Sequence, residues 1–356
     1  MKKNKKLILI LGIVWTTLVA MVYLYEFLHS IVGFSPLPES KIIRLFVILL
    51  IGLAITAIIM LLNGYLSIGL NLSGKGNEKP KFSLVDEIFE ADKNEQYEKV
   101  IRIGTNICRT LYIEGHHKLR HDVGKLIQEA AVKTQNRDVE VEAYIDHIGW
   151  SLVLMRGVDN SKAVEYINHG IALAKHPPSN SFWIAKGTRH LGAIRFIAHD
   201  YRNAEAILRE AITFAEGIEN ENQKKEMIAG IDFDLALIKL KLSDTDSAEA
   251  FCSESRALRE EVGDKSRICR VFALEGKIAE AKNDKIVAKN FFSQGLEYAK
   301  KQNRKDELIR NHIGLARILK DEDTGKAKEH YELAKNLLND TDAPFDIYGE
   351  EDIPML

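Results

Sequence analysis

The sequence predicts an all-α protein in which an N-terminal transmembrane helical hairpin precedes an α-solenoid. Three observations carry this. Two long apolar runs fall within the first 70 residues. Past residue 82, apolar side chains recur at i, i+3, i+4 and i+7, the spacing of one helix face. Between residues 163 and 334, a small–large–small pattern returns five times.

The hairpin comes first. Residues 7–28, LILILGIVWTTLVAMVYLYEFL, carry a single charge, Glu26, near their end. About 20 such residues cross a hydrocarbon core. A secretory signal peptide also opens with a basic stretch like KKNKK, but this run is too long and no A-x-A-like site follows it. Residues 45–62 form a second, charge-free run, and the HSIVGFSPLPESK turn joins the two into a hairpin over 1–70. Lys2, Lys3, Lys5 and Lys6 precede the first span and Lys75, Lys79 and Lys81 follow the second. Only Lys41 and Arg44 lie between. The lysine excess places both chain ends inside. The bilayer is therefore expected to contact 7–28 and 45–62, in a bacterial cytoplasmic membrane with the N-terminus and body in the cytoplasm. Residues 71–82, including NLSGKGNEKPK, read as a flexible linker.

Residues 83–136 read as a helical cap or a degenerate repeat, and 137–338 as about five helix pairs. In the second helix of each pair a small residue is followed by a large one at +4 and a small one at +7. The sets are Ala163–Ile167–Gly170, Ala204–Leu208–Ala211, Ala248–Cys252–Ser255, Ala288–Phe292–Gly295 and Ala327–Tyr331–Ala334. Twelve residues before each first small residue stand Ser151, Gly192, Ala236, Gly276 and Leu315, the last beside Gly314. Two antiparallel helices can touch closely only where side chains are small. The packing positions are accordingly Gly192, Ala204, Ala211, Ala236, Ala248, Gly276, Ala288 and Ala327. One pair cannot bury its apolar face alone, so at least three must stack.

This pattern resembles the tetratricopeptide repeat (TPR), of whose leucine–glycine signature Leu191-Gly192 and Leu235-Ala236 survive. The steps of 41, 44, 40 and 39 residues exceed the ~34 of a simple TPR. They are similar to the longer arrays of kinesin light chains and of sensor modules in bacterial signalling regulators. The resemblance implies a right-handed solenoid with a concave groove for partners, and no catalytic motif.

Other signals narrow the function. The net charge is −2, and most of the positive excess sits in the hairpin, leaving a mildly acidic body that argues against nucleic acid. Cys108, Cys252 and Cys269 are odd in number and lack a CxxC, which favours buried thiols in a reducing compartment. The GHHKLRHD stretch sets His117 and His121 a turn apart beside His116 and Asp122, but zinc needs a third and usually a fourth ligand. The stretch is read as a solvated basic helix start, so no metal and no cofactor are expected. Asp232 and Asp234 would face different directions on a helix. No phosphate loop or hydrolase elbow appears, so the chain is not expected to be an enzyme.

Lys186, Arg189, Arg270 and Lys277 lie on first helices, spaced to leave the packed face. As partly solvated cations they are the candidate partner-binding residues, for an acidic peptide or carboxylate. The tail over 339–356, with six acids and no base among aromatics, reads as disordered or as a docking motif. The predicted function is a membrane-anchored scaffold or adaptor that binds a protein or peptide at the cytoplasmic face. The alternative is a sensor-effector whose hairpin oligomerises to perturb the membrane. Homo-oligomerisation stays open.

Overall fold

The computed structural model describes residues 81–343. The hairpin assigned to 7–28 and 45–62, the linker up to residue 80, and residues 344–356 of the tail lie outside the described residues. Among the described residues there is no strand, and no helix is long and apolar enough to cross a membrane.

Among the described residues thirteen helical segments follow one another: α1 (Lys81–Lys93), α2 (Tyr97–Glu114), α3 (His117–Lys133), α4, α5 (Asn160–Lys175), α6 (Ser181–Ile197), α7 (Tyr201–Glu216), α8 (Glu221–Lys241), α9 (Thr245–Glu261), α10 (Lys265–Ala281), α11 (Lys285–Lys301), α12 (Lys305–Leu319) and α13 (Thr324–Asn339). α4 is composite: Arg137–Glu142 is α-helical, Ala143–Gly149 is π-helical and Trp150–Val153 closes as an α turn.

From α4 onward the helices pair as α4/α5, α6/α7, α8/α9, α10/α11 and α12/α13, each packed antiparallel on its partner. Local chemistry sets the starts. Asn180, Asn220, Asp244, Asp264, Asp284 and Asp323 cap α6, α8, α9, α10, α11 and α13, each accepting a hydrogen bond from the backbone N–H three residues on. Burial divides the helices into two layers. Second helices bury one stripe; in α7 it is Ala204, Leu208, Ala211 and Ala215. First helices are enclosed on most sides, as α12 shows with Ile309, Ile313, Leu315, Ala316 and Ile318 all buried. The first helices therefore form the inner layer.

Ala204, Ala211, Ala236, Ala248, Ala288 and Ala327 have no exposed surface. The glycines seat the large residue of the facing helix. A Cβ on Gly192 would lie 2.8 Å from Leu208 Cδ2, and one on Gly276 would lie 2.6 Å from Phe292 Cε1. In the first pair the seat is Gly149, where a Cβ would meet Ile167 Cγ1 at 2.6 Å. Ser151 is fully buried but accepts a hydrogen bond from Arg120 Nη1 instead, because the π-helical stretch shifts the register of α4.

The array closes on itself. α12 packs against α2, and residues 341–343 lie against the α2–α3 turn and the loop after α4. The Asp342 N–H donates to Gly115 O (2.9 Å), the Arg156 N–H donates to Asp342 O (2.9 Å) and the Lys118 N–H donates to Asp342 Oδ2 (3.0 Å). Ala343 is fully buried. The start of the acidic tail is thus ordered structure, contrary to a disordered reading from residue 339, because its backbone bonds complete a helix turn and a loop.

A cationic groove as the candidate functional site

The inner layer encloses a cavity of about 1090 Å³, lined mainly from α2, α4, α6, α8, α10 and α12, with Arg120 from α3 and Tyr201 and Leu208 from α7. Eleven Lys and Arg face it against six Asp and Glu. The groove wall is therefore electropositive although the whole chain carries −2.

At one end the π-helical stretch of α4 presents Asp146 and His147. Asp146 receives Lys186 Nζ at 2.9 Å, Arg120 Nη2 at 3.3 Å and His190 Nε2 at 3.3 Å. Burial alone would raise its carboxyl, but Lys186, Arg120 and the His190 hydrogen bond outweigh burial and hold it well below the usual range. His190 stacks on Trp150 with ring centroids 4.3 Å apart. Burial lowers His190 to about 4 and His147 to about 3, so both are neutral at pH 7.

Midway, Arg189 Nε bonds Asp234 Oδ2 at 2.6 Å. Gly230, one turn before Asp234 on α8, makes room, since a Cβ there would meet Arg189 Nη1 at 2.5 Å. Further along, Arg270 lies over the Phe233 ring (4.4 Å) and 3.6 Å from Glu307. Glu307 is fully buried and also flanked by Arg310 Nε (3.8 Å) and Arg304 Nη2 (4.0 Å). Arg317 grips Glu280 through two hydrogen bonds, at 2.5 and 2.6 Å. Lys277, on the same face, makes no ion pair among the described residues.

The four cations named from sequence therefore line one groove, but not as free, solvated charges. Lys186, Arg189 and Arg270 are each engaged by a carboxylate from a neighbouring helix pair, at Asp146, Asp234 and Glu307. Only Lys277 of the four lacks one. Sequence reading missed Asp146, His190, Lys241, Glu307, Arg310 and Arg317. A signal existed: Asp234/Lys241, Arg270/Lys277 and Arg310/Arg317 repeat a seven-residue spacing on successive first helices.

The histidine stretch is not a solvated helix start. His117, Arg120 and His121 are 3%, 3% and 8% exposed, because α3 begins between α2 and α4. No group of three metal-ligating side chains occurs among the described residues. Asp232 is buried, and burial with Glu254 nearby pushes it up to about 7; Asp234 faces the groove. The three cysteines are free and buried, with burial pushing Cys108 and Cys269 up to about 12, so they are not nucleophiles at neutral pH.

No protein-family model matches the chain, and none of the curated proteins matches it. Solved structures do. The apo form of RapI aligns at 14% identity with a TM-score of 0.54, covering 74% of this chain and 93% of that one. The apo form of the quorum sensor NprR from B. thuringiensis aligns at 14% identity with a TM-score of 0.52, covering 72% and 70%. At this identity the likeness is one of fold: residues 81–343 form a TPR-like helical-repeat array.

Proposed function

We propose that the chain is a non-enzymatic adaptor that holds a protein or peptide partner in the groove of its repeat array, tethered by its N-terminal hairpin to the cytoplasmic face of a bacterial membrane. The groove carries the reading. It is a cavity of about 1090 Å³ walled mainly by six helices, with polar side chains held by ion pairs between helix pairs. Concave repeat surfaces are the binding faces of solenoids. The tether rests on the sequence: two apolar runs and the lysine excess on their inner flanks.

The test places a photo-crosslinking side chain at Ala193 or Leu237, on the groove wall, and at Ile286, on the outer surface. In native membranes the groove positions should give a discrete adduct that Ile286 does not. Adducts that appear equally at Ile286, or at no position, would remove the groove as the partner site. Cysteine labelling from outside intact cells should reach a cysteine placed at Pro36 and spare one at Lys79; the reverse pattern overturns the topology.

A further inference from the structure

Arg109 and Lys241 are exposed cations of the groove wall, whereas its half-buried and buried cations face carboxylates except at one place. Arg120, Lys186, Arg189, Arg270, Arg304 and Arg317 each face a carboxylate within 4.0 Å. Lys277 does not, although it is only partly exposed. Around it stand Lys241 from α8, Arg310 and Arg317 from α12, and Glu280 on its own helix, whose carboxylate both hydrogen bonds from Arg317 already occupy.

A half-buried ammonium among cations is costly to fold. Such a position is sustained either by losing its proton or by an anion from outside. Burial first, then Arg317, Arg310 and Lys241, lower this lysine to about 7, so it is only about half charged at neutral pH. An arriving anion would meet a lysine whose proton it stabilises and cations already in place. The surroundings suit a carboxylate: Lys241, Arg310 and Arg317 line the same cavity as Lys277.

We propose that Lys277, with Lys241, Arg310 and Arg317 around it, is a carboxylate subsite that anchors an acidic peptide lying along the groove. This rests on the groove being the partner site. Because binding favours the charged lysine, occupation of the subsite is accompanied by uptake of a fraction of one proton at Lys277, and affinity falls as pH rises above 7.

The test uses the full chain in detergent with labelled hexaglutamate as probe and hexaglutamine as control, followed by anisotropy at low salt. Hexaglutamate should bind at pH 6.5 and weaken on the order of 20-fold by pH 8.5, the change in protonated fraction of a group titrating near 7. Hexaglutamine should not bind. Calorimetry in two buffers of different ionisation heat should report net proton uptake. Lys277→Arg, permanently charged, should keep binding and lose the pH dependence; Lys277→Met should lose binding while retaining parental helicity. Competitive amine labelling should show Lys277 titrating near 7 in the free chain and protected by the probe.

Unchanged hexaglutamate binding by Lys277→Met would place the anion elsewhere and overturn the proposal. Failure of hexaglutamate to bind, with the Ala193 adduct intact, would overturn the carboxylate subsite and leave the groove as partner site. Loss of both would overturn the two together.

Discussion

Phe292 shows how single residues hold the array. It is fully buried between Gly276 on α10 and Gly314 on α12; a Cβ on Gly314 would lie 2.6 Å from Phe292 Cζ. An aromatic ring locked by packing cannot yield a few tenths of an ångström on both sides. Gly276→Ala should therefore overpack the core and cost ~1–3 kcal/mol. Gly325→Ala, where the nearest atom is Asp323 Oδ1 at 3.5 Å, should cost nothing measurable. Equal melting temperatures for the two variants would remove the steric account. The buried histidines give a second residue-scale expectation. Burial lowers His117, His190 and His312 to about 4 and His147 to about 3. Each binds its proton more readily unfolded, near 6.5, so its contribution is complete above pH 6.5 and is lost as pH falls toward 4. Chemical denaturation should show stability declining from pH 6.5 to 4.5, before most carboxylates titrate. His147→Gln with His312→Gln should flatten that decline; an unchanged slope would assign it to other groups.

At the scale of elements, the turns carry a cost that sequence reading did not register. Glu95, Gln135, His199, Ser243, Asn283 and Asn303 adopt positive φ between 51° and 63°, each in the turn between consecutive helices. Left-handed backbone costs a side chain with a Cβ roughly 1 kcal/mol, less for asparagine. Gln135→Gly should accordingly stabilise the fold by ~0.5–1 kcal/mol, whereas Asn283→Gly should be near neutral. A destabilised Gln135→Gly would mean that the side chain makes up the cost through contacts. The same contrast explains what was legible. Small–large–small spacing is a steric rule that acts between helices adjacent in sequence, so Ala204, Leu208 and Gly192 announce their packing directly. The groove's carboxylates act between neighbouring pairs: Lys186 reaches Asp146 across 40 residues and Arg189 reaches Asp234 across 45. Those separations depend on how pairs stack, which no local pattern states. The π-helical stretch AYIDHIG has no sequence mark either, yet it turns Asp146 inward and moves the first glycine seat to Gly149.

At the scale of the whole array, closure sets the shape of the groove. A stack of helix pairs has two free ends, and each would expose apolar surface unless capped. Here the ends meet: α12 packs on α2, Arg304 lies over the Tyr112 ring at 6.0 Å, and residues 341–343 bridge the α2–α3 turn to Arg156. The Arg156 side chain adds a bond from Nη2 to Ala343 O at 3.1 Å. Each such hydrogen bond contributes ~0.5–1.5 kcal/mol net, so a few of them fasten the ends without making the array rigid. Asp342→Ala with Arg156→Ala removes two side-chain contributions and leaves every helix intact. Spin labels on cysteines introduced at the exposed Arg102 and Lys328 would span the junction, and the three native thiols are buried away from the reagent. The parent should give one narrow distance distribution, and the double variant a broader and longer one at unchanged helicity. Opening would also widen the cavity between α2 and α12, so the same variant should release a groove-bound partner faster. A distribution as narrow as the parent's would show that helix packing alone closes the ring, and that residues 341–343 merely lie against it.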